Sequence, residues 1–287
     1  MNQPPLVSVV VLVYNTGNYL LPCLESIAAQ SYRNLEVLMI DNGSQDGSGQ
    51  VCDDFALRDS RFRTIHQENL GIIGGRGTGV SHSRGEYISF VDGDDLLHPE
   101  MVRFLLEECL STTLPVAGCR FIPFYGPVPQ PESCPEDFLV LESPAHLDAL
   151  MHDKRVEYSL CNKLYARNLF DDVPFYSPVV YNEDLYLNWN ILQHAGGMAF
   201  VDFVGYYYPP ACGIHHAPAP AGADAHRPAF RGPHHSGYRP RRPAGGIGRG
   251  LLLREAALSE QHDPAPGKRE GFYRRAPLAE KGDPGRP

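Results

Sequence analysis

The sequence predicts an α/β fold: a mostly parallel sheet with helices packed on its faces. Three observations predict it. Leu6–Val13 (LVSVVVLV) is a continuous β-branched run, the signature of a strand buried on both faces. Short apolar runs recur at Leu35–Ile40, Phe62–His66 and Tyr87–Val91. Stretches with helical spacing lie between these runs, and repeated strand–helix units of this length indicate a parallel sheet covered by helices.

Taken in order, Asn15–Asn18 supplies turn residues after the first strand, and Leu20, Leu21, Leu24, Ile27 and Ala28 recur at helical spacing through Gln30. Asp41-Asn42-Gly43-Ser44 stops the second strand. Asp46 or Ser48 is suited to cap a helix running to about Leu57. After the third strand, Gly71–Ser83 is Gly-rich yet compatible with a helix, and the fourth strand ends at Asp92. Pro99–Leu110 reads as a helix with proline in its first turn. Residues 115–141 read as strands broken by a proline-rich loop from Pro123 to Pro135, and Ser143–His152 as a helix capped by Ser143. Tyr158–Tyr165 is mixed, Glu183–Gln193 helical and Phe200–Tyr208 strand-like. Sheets of this kind bind ligands outside the carboxyl ends of their strands, which directs attention to the loops after Val13, Ile40 and Val91.

Charge divides the chain in two. The 287 residues carry 25 Lys/Arg and 34 Asp/Glu; 13 and 7 of these fall after Tyr208, leaving 12 and 27 before it. Residues 1–208 are therefore at −15 and residues 209–287 at +6. The same tail holds 13 of the 26 prolines and 12 of the 28 glycines. An acidic globular part argues against nucleic-acid binding as the main activity. No apolar run approaches the ~20 residues of a membrane helix, and the absence of Lys or Arg before Arg33 argues against a secretory signal. The seven cysteines are scattered without CxxC spacing, which indicates neither a zinc site nor a disulfide framework. The setting this implies is a reducing cytoplasm.

Several loops carry residues suited to chemistry. Asp92, Asp94 and Asp95 crowd one turn, and hard oxygen ligands in that number suit Mg²⁺ or Mn²⁺ holding substrate phosphates; a solvated turn accounts for the same string equally well. Asp41–Ser48 is either a plain strand-to-helix turn or a ligand loop. Gly71–Gly79 (GIIGGRGTG) could cradle phosphate on backbone amides at a helix start, although it does not follow a strand in the dinucleotide-binding register. Glu183 and Asp184 open a helix, where acidic residues are common for dipole reasons; a carboxylate there would also serve as a general base.

Taken together, VSVVVLVYN, LEVLMIDNGSQDGS, ENLGIIGGRGTGVSHSRGEYISFVDGDD, CNKLY and YNEDLY resemble, in order and spacing, the family 2 glycosyltransferases with a GT-A fold. The resemblance covers residues 6–208. It implies inverting transfer of a sugar from a nucleotide donor, UDP-sugar foremost, with Mn²⁺ or Mg²⁺ on the diphosphate. By position, it implies that Asp41 contacts the nucleobase, Tyr14 flanks the nucleotide and Arg76 lines the donor pocket. Asp92 and Asp94 match the DxD metal pair, with Asp92 also on the donor side, and Asp184 matches the catalytic base. The acceptor implied is a glycan or lipid-linked glycan, in cell-surface polysaccharide synthesis in a bacterium. Three residues depart from the pattern: Leu12 stands where the family usually has Pro, Gly77 where Asn commonly follows the Arg, and Cys161 where Trp is frequent.

The fourth departure is the tail. Where such proteins continue into helices, residues 209–287 are rich in Pro, Gly, Ala, Arg and His, a composition that cannot offset its ordering entropy and predicts disorder, with only Leu251–Leu258 suited to a short helix. His215, His216, His234 and His235 read as adventitious metal ligands at most. Two origins fit: off-frame translation of a GC-rich gene, which the abrupt change favours, or a basic tether giving peripheral contact with the anionic inner membrane face or another protein. The sequence thus predicts a GT-A domain at 1–208 and a tail at 209–287. The rival function is a non-catalytic nucleotide-sugar binder whose acceptor side is lost through the altered C-terminus.

Overall fold

The computed structural model describes residues 3–123, 138–152, 156–175 and 182–208. The proline-rich loop from residue 124 and the whole segment after Tyr208, with Leu251–Leu258 and His215, His216, His234 and His235, lie outside the described residues.

Among the described residues, nine strands form one mixed sheet. β1 (Val7–Val13), β2 (Leu35–Asp41), β3 (Phe62–His66) and β4 (Tyr87–Asp92) pair in parallel in the order β3-β2-β1-β4. Every residue of β2 is buried, and β1 is nearly so, which is why both read as continuous apolar runs rather than alternating ones. Beyond β4 the sheet continues through β8 (Lys163–Ala166), β6 (Val116–Pro123), β9 (Gly197–Tyr208) and the two-residue β5 (Leu96–Leu97), while β7 (Phe138–Glu142) pairs with β9. β8 runs antiparallel to both β4 and β6, so the sheet changes from parallel to mixed there.

The helices follow from the connections. α1 (Leu20–Ala28) and α2 (Ser48–Arg58) link β1 to β2 and β2 to β3, and they touch each other on one face. From β3 the chain crosses back over β2 and β1 to reach β4, and a right-handed crossover in that direction places α3 (Gly71–His82) on the other face. The strand order reverses at β1. The crevice outside the carboxyl ends of β1 and β4 is therefore the switch point of the sheet. α4 (Met101–Thr112), α5 (Ala145–His152) and α6 (Glu183–Leu192) complete the described helices.

Three helix starts differ from the sequence reading. α2 is preceded by Gly47 in the left-handed region (φ 94°), so neither Asp46 nor Ser48 holds the cap position; Asp46 Oδ1 instead accepts from the Ser48 amide at 3.0 Å. α4 begins at Met101 rather than Pro99, whose carbonyl is turned to the Ser31 amide at 2.8 Å. α5 begins at Ala145, with the Pro144 carbonyl accepting from Leu147 at 3.0 Å.

Close approach of α3 to β1 explains its glycines. Val10 and Leu12 lie on one face of β1, two residues apart; a Cβ on Gly79 would overlap Val10 and a Cβ on Gly75 would overlap Leu12. Leu12 is thus accommodated by the absence of a side chain at Gly75. Gly79→Ala should therefore destabilise the fold by about 1–3 kcal/mol through overpacking, despite the ~1 kcal/mol that alanine gains over glycine inside a helix. Gly196, with nothing within 4 Å of its would-be Cβ, should tolerate alanine with little change. Urea unfolding of the two variants checks the contrast; equal stabilities would rule out the packing account.

Candidate functional site

The switch point gathers loops from adjacent strands. Register places Asp41 beside Val13 and Asp92 beside Leu12, so the ends of β2, β1 and β4 present their loops on one edge. The loop after β1 is stitched to the loop after β2: Asn15 N donates to Ser44 Oγ (3.1 Å), Gln45 N to Asn15 Oδ1 (2.8 Å), and Gly17 N to Asp46 Oδ2 (2.9 Å). Asn15 takes a left-handed backbone (φ 51°), which asparagine tolerates better than most side chains, and the turn leaves Tyr14 on the rim with 46% of its surface exposed.

Tyr14 lines an open groove of about 520 Å³ with Gly43, Gln45, His66, Gln67, Glu68 and Asn69. Asp41 lies beneath this lining and is nearly buried. Its Oδ1 accepts from the Ser44 amide at 3.0 Å and its Oδ2 lies 2.8 Å from His66 Nδ1. His66 Nε2 lies 3.0 Å from Asp53, so the imidazole bridges two carboxylates. Hydrogen bonding to Asp41 raises the His66 pKa above its ordinary 6.5 against the opposing effect of burial, with Asp53 adding to the rise. The structure thus places His66 in the groove wall, where the sequence had singled out Tyr14 and Asp41 but not this histidine.

The centre of the site is Arg76, projected from α3 and only 2% exposed. Its Nη1 donates to Asp184 Oδ1, and its Nη2 to Asp92 Oδ1 at 3.2 Å and to Cys161 Sγ at 3.8 Å. Burial opposes the charge, but Asp184 and Asp92 hold the guanidinium pKa well above its usual value. One cation thus joins the end of β4, the start of α6 and the segment before β8. Of the residues singled out from sequence, Arg76, Asp92 and Asp184 meet directly; Tyr14 lines the neighbouring groove, Asp41 is bonded to its lining residue His66, and Asp94 lies exposed on the turn after β4.

At the start of α3 the first two backbone amides already have side-chain acceptors. There the Leu70 amide donates to Asn42 Oδ1 (3.0 Å) and the Gly71 amide to Asn69 Oδ1 (2.8 Å), so asparagine side chains occupy both. The later glycines serve packing instead. A Cβ on Gly77 would stand 2.5 Å from Phe175 Cβ, and this aromatic fills the space that an asparagine would need.

The acidic turn fits a hard divalent cation. Asp92, with 40% of its side chain exposed, and Asp94 offer carboxylate oxygens from one turn, and Mg²⁺-type sites commonly combine one or two carboxylates with substrate phosphates. Among the described residues there is no cluster of three or more His, Cys, Asp or Glu that would cage a metal by itself. Asp95 is buried, and burial together with the charges of Asp92 and Asp94 pushes its pKa well up. Tyr206 Oη donates to Asp95 Oδ2 at 2.5 Å and accepts from the Asp92 amide at 3.2 Å.

The far wall carries a buried lysine that sequence reasoning passed over. Lys163 Nζ donates to the Glu157 and Ser159 carbonyls (2.6 Å each) and to Asn162 Oδ1 (2.9 Å); burial lowers its pKa to about 8. The segment it gathers offers the Leu160 amide to Asp184 Oδ2 at 3.4 Å. The CNKLY motif was the available signal, but only the fold reveals that its lysine points inward.

The family model described as glycosyl transferase family 2 matches residues 8–179. A curated relative, the uncharacterized glycosyltransferase EpsJ of Bacillus subtilis (strain 168), is 33% identical over 214 residues, spanning 71% of this chain and 61% of EpsJ. This chain therefore matches about three fifths of that relative's length. Among solved structures, S. aureus TarS 1–349 in complex with UDP-GlcNAc superposes with a TM-score of 0.60 at 21% identity, covering 75% of this chain and 61% of TarS 1–349. The mannosyltransferase PcManGT from Pyrobaculum calidifontis, in complex with GDP-Man and Mn²⁺, gives 0.55 at 17% identity over 74% and 59% of the two chains. At these identities the likeness establishes the GT-A-like fold.

The bridging imidazole makes stability depend on pH. Because folded His66 titrates above 6.5, its contribution is complete below that pH and is lost as pH rises through the raised value. His66→Gln should flatten the fall in stability that sets in as pH rises above 6.5 in urea unfolding. A variant that keeps the wild-type profile would exclude the Asp41–His66–Asp53 bridge as its source.

Proposed function

We propose that this chain, which belongs to glycosyl transferase family 2, transfers a sugar from a nucleoside-diphosphate donor, UDP-sugar foremost, to an acceptor hydroxyl with inversion. The observation that carries this reading is the convergence of Asp92 and Asp184 on buried Arg76 at the switch point. A carboxylate that accepts a proton and a turn suited to a diphosphate-bound cation then stand on either side of one guanidinium. The neighbouring structures in complex with UDP-GlcNAc and with GDP-Man and Mn²⁺ support a nucleotide-sugar donor and a divalent cation.

In this reading Tyr14 and the groove beside it receive the nucleoside, with Asp41 held behind by Ser44 and His66. Asp92 and Asp94 would hold Mn²⁺ or Mg²⁺, which when bound offsets charge on the departing diphosphate. Asp184 takes the proton of the acceptor hydroxyl as that oxygen attacks the anomeric carbon; a single displacement on the opposite face gives inversion. Arg76 restrains Asp184 through their ion pair. The same guanidinium is the cation nearest the place proposed for the donor diphosphate. The acceptor proposed is a cell-surface glycan or lipid-linked glycan, with the reaction on the cytoplasmic side. Among the described residues no helix is long and apolar enough to cross a membrane.

Calorimetry with UDP, with and without Mn²⁺, on the full chain tests the donor site: binding should strengthen with Mn²⁺ and lose that dependence in Asp94→Ala. Asp184→Asn should retain UDP binding while transfer falls by about 10²–10⁴-fold, the range for a general base. Donor binding without transfer or donor hydrolysis by the wild-type chain would instead support a nucleotide-sugar binder.

A further inference from the structure

We propose that Tyr206 is a positioning residue for the acidic turn: its hydroxyl sets where Asp92 and Asp94 stand, and so sets affinity for the divalent cation. This rests on the donor-and-cation reading above.

The turn from Asp92 to Asp95 leaves β4 and runs directly into β5, where Leu97 pairs with Tyr206 and Leu96 with Tyr207 of β9. The His98 amide continues this attachment, donating to the Gly205 carbonyl at 2.9 Å. From that strand Tyr206 reaches back to the turn. One hydroxyl donates to Asp95 Oδ2 at 2.5 Å and accepts from the Asp92 amide at 3.2 Å, closing a loop across the turn. The turn's own backbone bond, Asp95 N to Asp92 O at 3.0 Å, spans the same two residues. Tyr206 is only 2% exposed, so its ring cannot move to open water and its hydroxyl has its partners fixed.

The bonded atoms give the role its direction. The Asp92 amide lies on the backbone of a carboxylate assigned to the cation, and holding that amide fixes the starting direction of its side chain. Asp95 is drawn inward by the same hydroxyl, which leaves Asp92 and Asp94 as the turn's outward carboxylates. A phenylalanine at 206 keeps the ring and its packing but releases both bonds, freeing the turn to sample directions that do not converge on one ion.

The test measures Mn²⁺ affinity by the loss of the free-ion paramagnetic resonance signal, and UDP affinity by calorimetry, on the full chain and on Tyr206→Phe. The expected result is about tenfold weaker Mn²⁺ binding in the presence of UDP, the order expected for one lost intramolecular hydrogen bond. Metal-free UDP affinity should be unchanged. Site-specific 3-fluorotyrosine at 206, which keeps the hydroxyl, should restore Mn²⁺ affinity, and it decides the matter if the phenylalanine variant folds poorly. Wild-type Mn²⁺ affinity in folded Tyr206→Phe, equal losses with and without metal, or no recovery with fluorotyrosine would overturn the inference alone. A wild-type chain whose UDP binding ignores Mn²⁺ would overturn the donor-and-cation reading and this inference with it.

Discussion

The site depends on the ion pairs of Arg76. A guanidinium taken out of water costs several kcal/mol unless its charge is met, and here the meeting carboxylates come from the end of β4 and the start of α6. Satisfying that one cation obliges two remote parts of the chain to converge. The convergence also requires α3 to lie close on β1, which the glycines at 75 and 79 permit by presenting bare backbone to Leu12 and Val10. Cys161 completes the enclosure. Its small thiol lies 3.8 Å from Arg76 Nη2 where a tryptophan is frequent in the resembling sequences, leaving room for the guanidinium to face both carboxylates.

A second buried cation organises the opposite wall by different means. The Lys163 ammonium is met not by an ion pair like those of Arg76 but by two carbonyls and an amide oxygen. Uncharged acceptors compensate a buried charge less well, and burial accordingly lowers its pKa to about 8 while Arg76 rises. The structural consequence is local. The ammonium draws the 157–162 segment around itself, and that segment supplies the Leu160 amide to the second oxygen of Asp184. Asn188 extends the same frame, accepting from the Tyr165 hydroxyl at 2.8 Å and donating to the Tyr158 carbonyl at 2.5 Å. Asp184 is thus fixed by a charge from one side and a backbone donor from the other.

Periodicity made the parallel half of the sheet legible, because strands buried on both faces leave unbroken apolar runs such as Val7–Val13 and Leu35–Asp41. The loops at their carboxyl ends were legible for the same reason. The two-residue strand β5 was not, since so short a segment has no period of its own and exists only through pairing with β9. The glycine run misled because glycine serves equally for close packing and for binding phosphate on its amides; what decides between them is which partner approaches, and Leu12, Val10 and Phe175 do. His66, Lys163 and Tyr206 escaped notice, and the inward turn of Asp95 with them, because their roles arise from contacts distant in sequence, such as the bond from Tyr206 to Asp95. A histidine at the end of a strand or a tyrosine among other tyrosines carries no local mark of its partner.

Charge accounting across the mouth explains why donor and cation belong together. Asp92, Asp94, Asp95 and Asp184 bring four carboxyl groups to the region, and Arg76 and Lys163 bring two cations. Burial and the charges of Asp92 and Asp94 keep Asp95 from adding a full charge, against the hydrogen bond from Tyr206 that favours its ionised form, yet the mouth still leans negative. A bare diphosphate entering such a site meets repulsion at short range that only Arg76 directly opposes. A bare divalent cation meets just two outward carboxylates, too few for a hard ion that takes at least six oxygens. Under the proposed function each lacks what the other would supply: phosphate oxygens would add to the ion's ligands, and the ion would offset the phosphate charge. In the proposed reaction, therefore, the affinity of the site lies in the pair, and Arg76 ties the turn that would hold the pair to the carboxylate proposed as base.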